Sequence, residues 1–207
     1  MIQSLIRGFI KPTNSLLFLA FVVLLSACDE PLYTPKPRAY PKVIYPEKSY
    51  RQFDENYCNF TFQYPEYTTV EQDTLFFDEK PDHACWFDLY TKELSAKIYC
   101  SYIPIDKTNP FEKLRNDAFI MANEHIVKAN YIDEIPIQNK NGVSGFAFNL
   151  EGPVASPFMF YLTDSTDHFL RGSLYIHARA RPDSLAPVVS FIKEDIFQMI
   201  ETFDWKD

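Results

Sequence analysis

The chain has 207 residues, 46% hydrophobic and 16% aromatic, and a formal net charge of −8. That length suits one domain with a sizeable core. The acidic balance speaks against nucleic acid as a partner, because phosphate binding needs clustered Lys and Arg.

The first residues read as an address. Arg7 and Lys11, with no acid nearby, precede an apolar run over residues 15–25. The run is shorter than the roughly 20 apolar residues that span a bilayer, and it suits the apolar core of a signal peptide. It closes in Leu25-Ser26-Ala27-Cys28, the pattern of a bacterial lipobox, in which the chain is cut before the cysteine and the cysteine is acylated. Two or more acyl chains give stable anchoring, since each buried methylene adds about 0.8 kcal/mol. Residues 1–27 are therefore expected to be a lipoprotein signal peptide and Cys28 the lipid anchor. Losing residues 1–27 removes two positive charges and no negative ones, taking the net charge from −8 to −10. Asp29 and Glu30 follow the anchor and leave inner versus outer membrane open.

Residues 29–49 hold five prolines, which favour extended polyproline II at about 3.1 Å per residue. Residues 28–49 are read as the lipidated cysteine and a proline-rich tether, with docking strip as the alternative, because aromatics lie between the prolines. A single globular domain is expected over 50–207.

Within that domain, residues 60–64 alternate and stop at Pro65, which predicts a strand; 68–71 is a weaker one. Residues 84–90 and 96–103 flank a short polar turn and predict a hairpin. Asn109, Pro110 and Glu112 have the order of a helix start, with Asn109 as cap. Phe111, Leu114, Ala118 and Met121 then follow at helical spacing, continued by His125 or Ile126, to about Lys128. Residues 131–138 and 143–150 flank an Asn-Gly turn at Asn141-Gly142. Residues 158–163 and 169–177 flank Asp164-Ser165-Thr166-Asp167, a second hairpin. Ser184 is a candidate cap for a last helix with Pro187 in its first turn. Leu185, Val188, Ile192, Ile196, Met199 and Phe203 fall on one face of it. Hairpins with segregated helices predict an α+β domain, an antiparallel sheet flanked by helices. The order of elements is similar to the Mog1/PsbP-like α/β/α sandwich, a likeness that concerns fold alone.

Besides Cys28, the chain has Cys58, Cys85 and Cys100. Outside the cytoplasm a disulfide is permitted. Cys58 and Cys85 each stand at the start of a predicted strand, so a bridge between them is one reading and three reduced buried thiols the other. No Cys-x-x-Cys spacing occurs, which argues against zinc ribbons and thioredoxin-like redox work.

Catalytic patterns fall short. Gly142-Val143-Ser144-Gly145 is one residue off a nucleophile elbow and sits between strands. No glycine-rich phosphate loop and no His-Glu-x-x-His pairing occurs. Asp164, Asp167 and His168 offer ligands for a hard cation, but Asp and Ser are ordinary turn residues. His83 beside Cys85 suggests a nucleophile pair, set against a cysteine placed in a sheet. His125 reads as a core histidine. No catalytic residue, metal or cofactor is expected.

Several strings carry a more specific likeness. Residues 35–40, 45–50 and 85–88, then 160–166 and 168–175, and finally 182–188 with Phe191-Ile192 and Glu194-Asp195, resemble GldD, the gliding motility lipoproteins of Bacteroidota. The likeness spans nearly all of the chain after Cys28. It implies an envelope lipoprotein, facing the periplasm, that serves surface gliding and the linked type IX secretion system. It also implies association with other gliding and secretion lipoproteins and no enzymatic activity. Cys28 alone transfers as a family residue. Asp164, Thr166, His168 and Arg171 lie in the best-matched strings and are the interaction candidates. The alternatives are a periplasmic enzyme with a site near His83/Cys85 or Asp164/His168, and a small-ligand module.

Overall fold

A computed structural model describes residues 42–74, 81–178 and 181–206. Cys28 and most of the expected tether lie outside the described residues.

Most of the strands bury side chains against a core on one or both sides. β1 (Tyr50–Phe53), β2 (Phe60–Pro65) and β3 (Thr69–Gln72) come first. β4 (Trp86–Thr91) and β5 (Ala96–Pro104) form a hairpin. Its turn is a short 3₁₀ segment that ends at Ser95 in the left-handed region. Helix α1 (Phe111–Asn123) follows and runs into a 3₁₀ turn over Glu124–Val127. β6 (Tyr131–Gln138) and β7 (Ser144–Glu151) pair, as do β8 (Phe158–Thr163) and β9 (His168–Ile176). Helix α2 (Pro182–Thr202) and the two-residue β10 (Asp204–Trp205) close the domain.

Seven strands make one antiparallel sheet in the order β3-β4-β5-β9-β8-β7-β6. β1, β2 and β10 make a smaller one with β2 in the middle. The domain is α+β with antiparallel pairing, as the hairpin pattern predicts.

Each face of the large sheet has its own core. On one face Leu114, Ala118 and Ala122 of α1 cover Phe148, Leu150, Met159, Tyr161 and Phe169. On the other, α2 and the small sheet bring Phe53, Phe60, Phe62, Ile192, Ile196, Met199 and Phe203 onto Phe87, Leu89, Phe160 and Leu162. The rings are close: Phe53 stacks on Phe62 at 4.5 Å and on Phe87 at 4.9 Å between centroids. Because both faces of β8 are covered, all six of its residues are buried, which is why 158–163 reads as an apolar run rather than an alternation.

Several expectations shift. Pro110, not Asn109, precedes the first turn of α1 and makes no side-chain cap. Asp106 instead takes the Thr108 and Asn109 N–H groups, both at 2.7 Å. α1 stops at Asn123, short of Lys128. α2 begins two residues before Ser184, and Pro187 lies past the first turn. Two elements were not anticipated, β1 and β10. The region packed on the domain also starts before Tyr50. Val43 packs on the core, Tyr45 stacks on Phe191 at 4.7 Å, and Lys48 bonds to α2. Among the described residues, no helix is long and apolar enough to cross a membrane.

Candidate functional site

One end of the large sheet gathers side chains that are far apart in sequence. Tyr102, on β5, shares a hydrogen bond of 2.7 Å between its hydroxyl and His168 Nδ1. His83 meets the same ring edge-on at 4.7 Å. Trp205, delivered by β10, stacks on His168 at 4.9 Å. Trp86 Nε1 donates to the Tyr102 carbonyl at 3.0 Å. His83 Nδ1 accepts the Cys85 N–H at 3.0 Å. The Trp205 indole N–H is buried and has no hydrogen-bond partner among the described residues.

Cys85 is disulfide-bonded to Cys58, with 5.1 Å between their Cα atoms and a sequence separation of 27. Cys100 is a free, buried thiol whose pKa burial pushes well up. The two histidine-bearing candidates of the sequence, His83/Cys85 and Asp164/His168, are thus joined through Tyr102. Their chemistry is limited, because the disulfide removes Cys85 as a nucleophile. Burial lowers the His83 pKa, which favours the neutral ring that accepts at Nδ1. Burial, then the fields of Asp164 and Asp167, raises the Tyr102 pKa, so its phenol stays protonated. Among the described residues, no group of three His, Cys, Asp or Glu side chains is arranged to hold a metal ion.

The β8–β9 turn explains Asp164. Its Oδ1 accepts the N–H groups of Thr166 and Asp167 at 3.0 Å and of His168 at 2.9 Å, while Oδ2 takes the Thr166 hydroxyl at 3.0 Å. Ser165 sits at φ 68°, which such Asx geometry tolerates. Partial burial pushes the Asp164 pKa up, but the hydrogen bonds from His168, Thr166 and Asp167 outweigh it and hold the pKa down. Asp164 and Thr166 therefore build the turn that presents His168. Arg171 does not join them. It is paired with Ser101 and Tyr161 on the α1 face of the sheet, and its Nη1 lies 2.7 Å from Met121 Sδ. Burial lowers its pKa, with Asp117 opposing.

A second cluster escaped the sequence reading. Asp195 of α2 is 6% exposed. It accepts Lys48 Nζ at 3.0 Å, the Tyr50 hydroxyl at 2.9 Å and the Tyr67 hydroxyl. The string containing Glu194-Asp195 was noticed, but nothing local says that this acid is the buried one. A surface feature also stands out. Ile120, Ile126, Val127 and Tyr131, around the end of α1, are exposed, Val127 to 89%.

The family model described as gliding motility lipoprotein GldD matches residues 30–205. Among curated proteins, no match was found. Among solved structures, the solution structure of cyanobacterial PsbP (CyanoP) from Synechocystis sp. PCC 6803 is similar at 10% identity and a TM-score of 0.46, covering 83% of this chain and 99% of that one.

Proposed function

The chain belongs to the gliding motility lipoprotein GldD family, and from that premise we propose a non-catalytic scaffold of the gliding machinery. It is anchored in the cell envelope through acylated Cys28, faces the periplasm, and binds or stabilises partner lipoproteins of gliding and of type IX secretion. The observation that carries this reading is the family match over residues 30–205. The exposed apolar side chains of Ile120, Ile126, Val127 and Tyr131 are consistent with a docking role. The Cys58–Cys85 disulfide suits an oxidising compartment.

Two experiments test it. Deleting the gene should abolish spreading on agar and type IX-dependent secretion, and a clean deletion that spreads and secretes normally overturns the role. Cys28→Ala should leave the protein uncleaved or unlabelled by a fatty-acid probe, and labelling that persists overturns the anchor. Crosslinking and pull-down from the native envelope would then name the partner.

A further inference from the structure

A cavity of about 560 Å³ lies between the first half of α2 and the β7–β8 loop, open to solvent on one side. It is separate from both the His83–Tyr102–His168 cluster and Asp195. Small-molecule sites have volumes of roughly 300–1,000 Å³, apolar walls and a few placed polar groups. Here Val154, Pro157, Leu185 and Val189 give the apolar wall.

Among the described residues, the charged lining is Lys128, Arg181 and Lys193 against Glu151 and Asp183, in a chain whose net charge is −8. Lys193 is the group with capacity to spare. Its ammonium donates to Asn149 Oδ1 at 2.9 Å and sits 5.3 Å from the centre of the Phe158 ring. An ammonium has three donors, so a single acceptor among the described residues leaves room for a guest. Burial pushes the Lys193 pKa down, against the opposing fields of Glu151 and Asp133.

We propose that this cavity binds a small organic monoanion, a carboxylate on an apolar body. The carboxylate meets Lys193 Nζ and the Asn149 amide, and the body lies against Val154, Pro157, Leu185 and Val189. Glu151 lines the same space and disfavours a second negative charge on the guest. The apolar wall favours a hydrocarbon over a sugar. Two sources share this chemistry: a free acyl acid, and the carboxyl end of a peptide with an apolar last residue.

Isothermal titration calorimetry on the full chain in lipid nanodiscs, with empty nanodiscs subtracted, tests the site. The probes are octanoate, N-acetyl-leucyl-leucine, the amide of that dipeptide, octan-1-ol and inorganic phosphate. At least one carboxylate should give saturable one-site binding. The neutral partner of that carboxylate, amide or alcohol, should bind at least about tenfold more weakly, as should Lys193→Met, while Lys193→Arg should stay close to wild type. The tighter carboxylate identifies the source. The inference is overturned if neither carboxylate saturates, if the amide or alcohol matches its acid, if phosphate binds more tightly, or if folded Lys193→Met binds like wild type. The acid–amide comparison uses the wild-type chain and stands whether or not the variants fold.

Discussion

Replacing Asp195 by alanine removes one acceptor from three donors. Lys48 keeps the Phe191 carbonyl at 3.0 Å and Glu194 at 2.9 Å, and its side chain is 24% exposed, so solvent screens its loss to about 1 kcal/mol. The two phenols fare worse. Burial first, and then the hydrogen bond to Asp195, raises the pKa of both Tyr50 and Tyr67, so each keeps a proton that must be donated. A buried donor left without an acceptor costs about 1–3 kcal/mol, and taking the lower half for two partly buried hydroxyls gives about 2–4 kcal/mol. The total is about 3–5 kcal/mol, or a fall in Tm of about 10 °C for a domain of this size. Urea unfolding of wild type, Asp195→Ala, Tyr67→Phe and the double variant measures it. In the Asp195→Ala background Tyr67→Phe should cost almost nothing, since its partner is already gone. A loss below about 1 kcal/mol for Asp195→Ala with an unchanged m value, or full additivity with Tyr67→Phe, refutes the reasoning.

Gly145→Ala should cost more than about 3 kcal/mol or prevent folding, because a Cβ there runs into the backbone carbonyl of Tyr161 on β8; wild-type thermal stability would contradict this. Reducing Cys58–Cys85, or changing both to serine, should cost about 3.5 kcal/mol on the chain-entropy estimate for a sequence separation of 27, read as a lower urea midpoint with dithiothreitol. His83 has a folded pKa below its ordinary 6.5, so the unfolded chain takes up the proton first as pH falls. Its contribution is complete above about pH 6.5 and is lost below it; a stability profile that slopes as steeply in His83→Gln as in wild type speaks against it. At the other end, Tyr50, Tyr57 and Tyr67 have folded pKa values above the ordinary 10.0, Tyr57 pushed up to about 12 by burial and then by Glu55. Stability should therefore fall as pH rises past about 10, where unfolded phenols ionise, and a flat urea midpoint from pH 9 to 11 would count against it.

What could be read from the sequence was whatever repeats within a few residues. The two later hairpins were visible because each joins apolar stretches across turn residues, and Gly142 does adopt φ 81°. The core stripe of α2 was visible because Val188, Ile192, Ile196 and Met199 recur at helical spacing and are buried. β1, Tyr-Arg-Gln-Phe, has no alternation to see, and two residues of β10 cannot show a period. The pairing of β5 with β9 depends on a register between residues some seventy positions apart. The same limit hides the polar clusters. Asn139 reads locally as a turn residue, yet its amide donates to the Ile200 and Phe203 carbonyls at 2.9 and 2.7 Å and so ties the β6–β7 turn to the end of α2. Tyr102 meets His168, and Asp195 meets Lys48, Tyr50 and Tyr67, only after the sheet has closed. Of the interaction candidates, the turn at Asp164 was recognisable from composition. The opposite facing of Arg171 follows from strand parity and was within reach.

The place of β2 between β1 and β10 has a mechanical meaning. Both neighbours run antiparallel to it, so they run parallel to each other. The chain comes in along β1 beside Pro65, at one end of β2, and leaves along β10 beside Phe60, at the other. Tension between whatever holds the residues before Tyr50 and whatever grips the residues after Trp205 pulls the two outer strands in opposite directions along β2. The hydrogen bonds of the small sheet are then sheared together instead of being unzipped one by one, and Tyr45 and Lys48 spread part of the load onto α2.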